Sequence, residues 1–319
     1  MFLDVPLKVV MINDCASVGE TLLKYMPAYI EKQHIIRTRA LWDKTLSLAY
    51  KILRAKGNIY HSNYLLQDCY IATRLGKKPL VGYALGTDLR RSLKHPIWGR
   101  MVRHNLKKCD KIFVSTPDIL GIAKQFRDDA EYLPPPVNPE LFYVKPQTRE
   151  DRRKKVLIAS NSNWNTKGTD MAVRALSKLK DKVDVSIIKY GSDFEKTVSL
   201  ASSLGLHLSI LPLIPHQRIT QYYWDSDVVI DQFKVGCAGM ISLEAIACGR
   251  PAITYINSEF PEYDEFPLKD VNTEEQITIA IEEADNSLWK KEHDYIEKNH
   301  RLDVIIDILV GTYLSLVEK

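Results

Sequence analysis

Residues 226–256 read SDVVIDQFKVGCAGMISLEAIACGRPAITYI, and this stretch decides the fold. Its apolar run at residues 228–230 is typical of a buried strand, and the small residues at 236–239 then form a turn. From Met240 the apolar residues follow a helical pattern, which ends before a second apolar run at residues 252–256. Strand, glycine turn, helix and strand make a parallel βαβ unit, so we predict an α/β fold.

The start of the helix in this unit is suited to an anion. Its first N–H groups, at Gly239, Met240 and Ile241, have no partner within the helix, and the helix dipole places positive charge there. We expect a diphosphate at this end, with Glu244 one turn further on accepting hydrogen bonds from two sugar hydroxyls. The alternative is an ordinary βαβ unit whose glycines serve packing alone, because glycine turns are common.

The run LEAIACGRP at residues 243–251 resembles the nucleotide-sugar signature L-E-A-x-A-x-G-x-P of retaining GT-B glycosyltransferases. This is the large group 1 family of the glycogen synthase and mannosyltransferase type. The resemblance implies two Rossmann-like domains facing across a cleft, with a C-terminal helix packing back on the first domain. It also implies transfer of a hexose from a nucleoside-diphosphate sugar with retention of the anomeric configuration.

Length and composition agree with a two-domain globular protein. The chain has 319 residues, of which 45% are hydrophobic and 26% charged. We predict an acceptor domain at 1–147, a nucleotide-sugar domain at 148–298 and a returning helix at 299–319, with a charged linker at 145–155. No apolar run approaches the ~20 residues that span a bilayer, and no signal peptide is expected, which favours the cytoplasm. The five scattered cysteines include no C-x-x-C pair, so we expect reduced thiols and no metal site.

The two halves of the chain differ in charge. Residues 1–150 carry 24 Lys and Arg against 14 Asp and Glu, a net +10, whereas residues 151–319 carry 20 against 26, a net −6. The basic half therefore predicts an anionic partner, either a phosphorylated acceptor, an anionic membrane surface or nucleic acid. We expect no nucleic-acid partner, because the sequence has no pattern of alternating aromatic and basic residues like that of a known nucleic-acid-binding motif. The sequence gives no indication of the oligomeric state.

Two basic segments of the first half bear on a membrane partner. Residues 37–56 alternate apolar side chains, Trp42 among them, with arginines and lysines, and residues 96–111 form a second basic surface around Trp98. A helix of the first kind usually packs its apolar face on the core and exposes its basic face, which is the expectation here. The alternative is peripheral contact with an anionic membrane on the cytoplasmic side.

In the first domain, the segment LGTDLR at 85–90 resembles the family's H-G-T-D-x-R segment, which lines the acceptor side of the cleft. The family's histidine, which commonly lies beside the donor sugar, is here Leu85. Without the resemblance, Asp88 would be interpreted as a helix N-cap. The residues expected near the acceptor or the cleft are Gly19, His61, Gly86, Thr87, Asp88 and Arg90.

In the second domain, SNSNWNTKGTD at 160–170 resembles the segment that clasps the donor diphosphate. Lys167, followed by Gly168, fits the family's lysine, whereas Asn161 stands at the position of its arginine. A lysine at a helix start is mildly unfavourable unless an anion offsets its charge.

Five further residues of the second domain are implied to contact the donor. Gly191 follows a predicted strand at 183–189, and the segment around Leu213, Ile214 and His216 resembles one that flanks the nucleobase. Gly236 stands where the family's wider signature has its first acidic residue, which we interpret as a subgroup feature.

The resulting hypothesis is a metal-independent hexosyltransferase that needs no cofactor and uses a UDP- or GDP-sugar as donor. Catalytic roles are expected for Lys167, Glu244 and Asp88, with positive charge stabilising the leaving diphosphate. The acceptor would be a sugar or a lipid-linked sugar. A nucleotide-sugar epimerase or hydrolase of the same fold and a non-catalytic partner subunit are the alternatives.

Overall fold

A computed structural model describes residues 7–38, 40–146 and 153–318, with the backbone alone for Leu41. The chain forms two compact units, one made of Met1–Pro136 and His300–Lys319 and the other of Val137–Asn299. The predicted boundary at 147/148 and most of the predicted linker lie outside the described residues.

The first unit is a parallel six-stranded sheet with helices on both faces. Its strand order is β2-β1-β3-β4-β5-β6. Its strands are β1 (Lys8–Ile12), β2 (Glu31–Ile35), β3 (Ile59–Asn63), β4 (Leu80–Ala84), β5 (Lys111–Val114) and β6 (Glu131–Tyr132). Its helices are α1 (Val18–Tyr25), α2 (Leu41–Lys44), α3 (Leu46–Arg54), α4 (Gln67–Arg74), α5 (Thr87–Arg90), α6 (Trp98–Lys108), α7 (Leu120–Lys124) and, at the end of the chain, α15 (Leu302–Val317).

Two apolar layers cover the faces of this sheet. Side chains of α3, α4, α6 and α7 form one core with the sheet, including Leu48, Ile52, Val102 and Leu106. Helices α1 and α15 form the other core, in which Leu22 and Leu309 are fully buried. Central strands β3 and β4 are buried along their whole length, as expected for a parallel sheet covered on both sides. The apolar residues of each helix therefore determine which face of the sheet it covers.

The last helix returns to the first unit, as predicted. Tyr313 of α15 places its hydroxyl 2.5 Å from Nδ1 of His61 on β3, and both side chains are fully buried. Burial lowers the pKa of His61 to about 3, so the imidazole is neutral in the folded protein. His61 thus joins the sheet to α15. It has no exposed surface, and the predicted contact with the acceptor or cleft is wrong.

The second unit is a parallel five-stranded sheet in the order β11-β10-β7-β8-β9. Its strands are β7 (Lys154–Ile158), β8 (Val183–Ile188), β9 (Leu208–Leu211), β10 (Val228–Ile230) and β11 (Ala252–Ile253). Its helices are α8 (Trp164–Lys167), α9 (Thr169–Ser177), α10 (Phe194–Ser203), α11 (Ile219–Trp224), α12 (Met240–Ala247), α13 (Glu274–Glu283) and α14 (Asn286–Asn299).

In the second sheet the strand order reverses direction between β7 and β10. Strand β7 pairs with β8 on one side and with β10 on the other, so the loops that follow β7 and β10 diverge to opposite faces of the sheet. Ligands of open α/β sheets bind at such a point, outside the carboxyl ends of the strands. The two loops are residues 159–163 and 231–239, and they contain the predicted diphosphate site.

In the first sheet the order reverses between β1 and β3. Four non-glycine residues near the carboxyl ends of these strands have positive φ, namely Asn13 at 67°, Ala16 at 54°, Ser17 at 56° and Tyr64 at 80°. Such conformations are costly for residues with a side chain and concentrate at functional sites. The same edge carries the loop at 85–90 that resembles the family's acceptor segment.

The structure departs from the sequence-based expectation at α2 and α3. Leu48 and Ile52 face the core as expected, but Trp42, Leu46 and Leu53 are exposed. Apolar side chains thus lie on both sides of α3. The five cysteines are all free thiols, in agreement with the prediction.

Candidate active site

Asp231 lies at the centre of the candidate site, directly after β10. Its carboxylate is buried, with Oδ1 2.7 Å from the ammonium of Lys167 and Oδ2 accepting a hydrogen bond of 3.1 Å from the Ser242 hydroxyl. A Cβ on Gly239 would lie 2.3 Å from Oδ2 of Asp231. Glycine is therefore required at position 239, because the backbone there passes directly against the carboxylate.

Gln232 holds the turn between β10 and α12 in place. Its Oε1 accepts hydrogen bonds from the N–H groups of Lys234 and Val235, at 2.9 and 2.7 Å. Its Nε2 donates to the carbonyl oxygens of Cys237 and Tyr255, at 2.8 and 3.0 Å. One buried amide thus satisfies four backbone groups of the turn.

The glycines of this turn have separate roles. Gly236 has φ of +76°, and a Cβ there would lie 2.9 Å from Cβ of Asn257. An acidic side chain at this position, as in the wider family signature, would need a different backbone. Gly239 is the N-cap of α12, and no side chain caps the N–H groups at the start of the helix. Met240 and Ile241, the first helical residues, are therefore placed to present their N–H groups.

Lys167 ends α8 beside this turn, and Gly168 links α8 to α9 in the left-handed conformation with φ of +65°. The side chain of Lys167 is 26% exposed, whereas that of Asp231 has no exposed surface. The backbone also joins α8 to the loop after β10, because the carbonyl of Lys167 accepts a hydrogen bond of 2.8 Å from the N–H of Phe233. Lys167 was expected at a helix start and instead ends α8, and its charge is offset by a carboxylate of the protein itself.

The loop after β7 brings Asn161 to the same edge of the sheet. The Asn161 side chain is half-buried, and its Oδ1 is a buried atom without a hydrogen-bond partner among the described residues. Gly191, with φ of +118°, packs against Ser162, whose carbonyl oxygen would lie 2.4 Å from a Cβ at position 191. Gly191 is therefore needed for close approach of two loops, and an orphaned amide oxygen remains at the site.

Glu244 lies one turn into α12 and already has two partners in the protein. Its Oε1 is 2.7 Å from Nε2 of His216, and its Oε2 accepts a hydrogen bond of 3.0 Å from the hydroxyl of Tyr223. Burial and the neighbouring Glu244 raise the pKa of Tyr223 well above its usual value, so the phenol stays a donor. The Glu244 side chain is 3% exposed and that of His216 is 31% exposed. The His216 side chain is thus more accessible to solvent than the Glu244 carboxylate.

Leu213 and Ile214 precede His216 in the segment expected to flank a nucleobase. Leu213 is exposed and Ile214 is half-buried against the second core of this unit. The ring of His216 packs on Phe142, with centroids 5.4 Å apart. An exposed leucine next to an aromatic pair is compatible with a planar ligand, and the contact itself stays a prediction.

Asp88 in the first unit proves to be a structural carboxylate. It is fully buried and accepts hydrogen bonds from four backbone N–H groups, those of Leu65, Leu85, Gly86 and Leu89, at 2.9 to 3.3 Å. Burial raises its pKa, and the four N–H groups oppose that shift. It is not the N-cap of α5, which is Gly86. We therefore correct the predicted catalytic and acceptor roles of Asp88 to a positioning role, because its side chain is fully buried.

The neighbours of Asp88 differ in their access to solvent. Thr87 is exposed, whereas Gly86 is buried with φ of +114° beneath the guanidinium of Arg90. Arg90 binds both carboxylate oxygens of Asp118, at 2.5 and 2.7 Å, and the Thr116 hydroxyl at 2.7 Å. Thr87 is thus the exposed side chain of this predicted acceptor segment.

Gly19 lies in the first turn of α1. A Cβ there would meet Asn63 Nδ2 at 2.6 Å, and its N–H donates to Oδ1 of Asp14 over 3.1 Å. The glycine is therefore explained by close packing of α1 on the carboxyl ends of β1 and β3. Any contact with the donor stays a prediction.

Two kinds of feature are absent from the described residues. Residues 7–38, 40–146 and 153–318 include no group of three or more His, Cys, Asp or Glu side chains placed to hold a metal ion. None of the helices in those ranges is long and apolar enough to cross a membrane.

Residues 143–295, which include the Lys167–Asp231 pair and all of α12, match the family model described as glycosyl transferases group 1. This stretch belongs to the group 1 glycosyl transferases. The chain is also similar to a curated relative, since 164 of its residues are 24% identical to the lipopolysaccharide glucosyltransferase WaaG of Escherichia coli. That match covers 46% of this chain and 44% of WaaG, so it spans less than half of the relative.

Solved structures resemble 97% of the chain, so the likeness includes both the first unit and the second unit, which contains the group 1 region. The chain matches sucrose-phosphate synthase from Thermosynechococcus elongatus with a TM-score of 0.75 and 15% identity, over 97% of this chain and 99% of that one. It matches Anabaena HepE in complex with UDP and glucose with a TM-score of 0.69 and 14% identity, over 97% and 100% of the two chains. At these identities the likeness shows the fold, and the predicted α/β GT-B fold is confirmed.

Sequence reasoning missed the two residues that organise the site. Asp231 and Gln232 were visible as a polar pair directly after an apolar strand, which is where parallel sheets carry functional groups. The pairing of Asp231 with Lys167 could not be read from the chain, because the two residues are 64 positions apart. Tyr223 is buried in the core and also donates a hydrogen bond to Glu244.

Proposed function

We propose that this protein is a glycosyltransferase that moves a hexose from a UDP- or GDP-sugar to a sugar or a lipid-linked acceptor. The observation that carries the proposal is the carboxylate of Asp231, which touches both the ammonium of Lys167 and the backbone at Gly239. The Asp231 carboxylate holds this lysine beside the start of α12, where no side chain caps the N–H groups. The pair lies where the strand order of the sheet reverses, within the stretch that matches the group 1 glycosyl transferases.

The reaction requires positive charge where the diphosphate leaves. The bond between the anomeric carbon and the diphosphate oxygen breaks, a bond from the acceptor oxygen forms, and the nucleoside diphosphate and a proton are released. Negative charge grows on the diphosphate in this step. Lys167 and the N–H groups of Gly239, Met240 and Ile241 are placed to stabilise that charge, so we propose a metal-independent reaction. Retention of configuration is proposed from the family resemblance.

The remaining donor contacts follow from the same loops. Glu244 is proposed to bind the ribose hydroxyls, because each carboxylate oxygen can accept a second hydrogen bond beside His216 or Tyr223. Asn161 is proposed to bind the diphosphate-sugar region, since its buried Oδ1 has no partner among the described residues. The backbone of Leu213 and Ile214 is proposed to flank the base. The Anabaena HepE complex contains UDP, which makes UDP the first nucleotide to test here.

The acceptor is proposed to contact the first unit at the carboxyl edge of its sheet. Thr87 is exposed there, and Asp88 fixes the loop through four backbone hydrogen bonds. The net charge of +10 in residues 1–150 favours a phosphorylated or otherwise anionic acceptor.

One observation favours a second candidate, a non-catalytic partner subunit. Both oxygens of Glu244 are engaged by His216 and Tyr223, so the protein's own side chains satisfy the carboxylate that the family is expected to use on the donor. In that case no nucleotide would bind.

Product analysis separates the candidates. The protein is incubated with UDP-glucose, UDP-N-acetylglucosamine and GDP-mannose, each with and without a panel of sugar and lipid-linked acceptors. Free nucleotide released only in the presence of an acceptor supports the transferase. Release without an acceptor indicates a hydrolase or an epimerase that lets its intermediate escape, and a changed sugar indicates an epimerase. Absence of binding to UDP and GDP by calorimetry indicates the non-catalytic subunit.

A further inference from the structure

The helical layer that covers one face of the first sheet has an unusual outer surface. On α3, Leu46, Tyr50 and Leu53 follow one another at spacings of four and three residues and are all exposed, while Leu48 and Ile52 on the opposite side are buried. Leu46 is 80% exposed, and Trp42 on the preceding α2 is 68% exposed. Helix α3 thus has one apolar stripe in the core and a second in solvent, and the second needs a partner.

Helix α6 and the turn before it extend this surface on the same face of the sheet. Helices α3 and α6 belong to one core cluster and both contact α4, which lies between them. Ile97 is 62% exposed and is followed by exposed Trp98. The ring of Tyr70 on α4 contacts the ring of His104 on α6 in a T-shaped arrangement, with centroids 5.0 Å apart. The apolar side chains on α2, α3 and the start of α6 therefore belong to one layer.

The charge of this layer is strongly positive. No acidic residue lies between Asp88 and Asp110, a segment with seven lysines and arginines. Six of the seven are exposed, namely Arg91, Lys94, Arg100, Arg103, Lys107 and Lys108. Burial and the charges of Arg74 and Lys108 lower the pKa of His104.

Acidic residues beneath this layer are neutralised by internal pairs. Asp43 lies 2.7 Å from Lys51, and Asp68 binds Arg37 through both of its oxygens, at 2.5 and 2.9 Å. Asp118 binds Arg90 in the same way. The charges of these three carboxylates are thus compensated inside the unit, and the exposed lysines and arginines determine the potential outside it.

We infer that the outer surface of α2, α3 and α6 docks on an anionic lipid bilayer. Exposed tryptophan, leucine and isoleucine insert at the boundary of headgroups and acyl chains, and the surrounding lysines and arginines bind anionic headgroups. Nucleic acid is the less suitable occupant, because aliphatic side chains such as Leu46 and Leu53 neither stack on bases nor bind phosphates. A membrane-bound chain would meet a lipid-linked acceptor on the surface to which it is already held.

The test is co-sedimentation of the full-length chain with vesicles of phosphatidylcholine alone or with 30 mol% phosphatidylglycerol, at low salt. We expect binding to the anionic vesicles, weaker binding in 0.5 M NaCl, and little binding to neutral vesicles. Arg100→Gln with Arg103→Gln should weaken partitioning ~10- to 30-fold, because each cation near the surface contributes about one factor of five. Trp42→Ser with Leu46→Ser should weaken partitioning about fivefold or more. The same variant should lose the contribution of Trp42 to any blue shift in tryptophan fluorescence on binding vesicles.

Matched controls come from the second unit. Lys290→Gln with Lys291→Gln removes two exposed cations there, and Ile279→Ser removes an exposed aliphatic side chain, so both should leave partitioning unchanged. Thermal denaturation of each variant verifies that it is folded. Absence of sedimentation with anionic vesicles, or equal binding by the α2, α3 and α6 variants, would overturn the inference. Tighter binding to a single-stranded RNA, with displacement from vesicles by that RNA, would identify nucleic acid as the occupant instead. None of these measurements depends on sugar transfer, so their failure leaves the proposed function untouched.

Discussion

The ammonium of Lys167 lies 2.7 Å from Oδ1 of Asp231, across 64 residues of chain, and the carboxylate has no exposed surface. A buried carboxylate of this kind restricts the lysine to one position at the start of α12. The lysine retains partial exposure, so it can contact a ligand while it remains paired. A positive charge that is already held in position before the reaction stabilises a leaving group best, because no side chain has to move as negative charge develops.

Replacing Lys167 by alanine should weaken binding of UDP or GDP, whichever the protein selects, by about 10- to 150-fold, because one charge-assisted contact is worth roughly 1.5–3 kcal/mol. Isothermal titration calorimetry provides the measurement. Lys178→Ala, directly after helix α9, is the matched control, since it also removes a lysine paired with a carboxylate, there Glu275 at 2.9 Å. Unchanged nucleotide affinity in a folded Lys167→Ala protein would show that the lysine only neutralises Asp231.

Glu244→Gln should separate recognition of the ribose from recognition of the diphosphate. Glutamine keeps the size of the side chain but loses its charge, so affinity for the nucleoside diphosphate should fall about tenfold or more. Affinity for inorganic pyrophosphate should stay the same, because that ligand lacks the ribose. Glu283→Gln, an exposed position on α13, serves as the control for both titrations. An equal loss for the two ligands would place Glu244 at the diphosphate or indicate a disturbed fold.

Gly239→Ala should destabilise the protein, since the new Cβ would lie 2.3 Å from the buried Oδ2 of Asp231. Overpacking of this kind costs about 1–3 kcal/mol. In contrast, Gly311→Ala in the interior of α15 meets nothing within 4 Å, and alanine is the better helix former there. That variant should gain about 0.5–1 kcal/mol. Urea unfolding of both variants provides the comparison, and a neutral Gly239→Ala would mean that the carboxylate can move aside.

Folding stability should decrease as the pH falls below about 6.5, the usual pKa of histidine. Burial lowers the pKa of His61 to about 3 and that of His300 to about 4, so both stay neutral in the folded chain while the unfolded chain binds protons. Because the unfolded state binds more protons, stability rises with pH in this range and is lost on acidification. Each histidine should account for about 2 kcal/mol between pH 7 and pH 5.

The variant His61→Asn tests this pH dependence. Asparagine can still form a hydrogen bond with Tyr313 at the position of Nδ1 but does not titrate. Urea unfolding of the variant at pH 7 and at pH 5 should show a loss smaller by about 2 kcal/mol than that of the parent protein. An identical loss in the two proteins would assign the acid sensitivity to other groups.

The fold could be predicted from the sequence to the extent that its elements are apolar and periodic. Helix α15 (Leu302–Val317) lies within the returning helix predicted at 299–319, because its apolar residues form a broad continuous face. Strand β2 (Glu31–Ile35) was not predicted, since it lies at the edge of the sheet and only its last residue is buried. A polar edge strand carries no apolar pattern, and its pairing with β1 depends on the rest of the sheet.

The candidate site could be predicted in part. Lys167, Gly239 and Glu244 were predicted from local motifs, which can be recognised in the sequence without knowledge of the fold. Asp88 and His61 were expected at a ligand and are instead buried, because the sequence does not show whether a polar residue in or after a strand faces solvent or the interior. Burial and pairing across many residues arise only when the strands are assembled.

The union of α15 with the sheet of the first unit, through Tyr313 and His61, has a consequence for biosynthesis. The ribosome delivers residues 1–136 before residues 302–317, so the core of the first unit lacks one helix until α15 has emerged from the exit tunnel. The second unit, although later in the chain, contains all of its own strands and helices by residue 299 and can complete its folding earlier. The unit that is translated first is therefore the unit that completes its folding last. Until α15 packs on it, its apolar face is exposed, and this is the surface to which chaperones would bind.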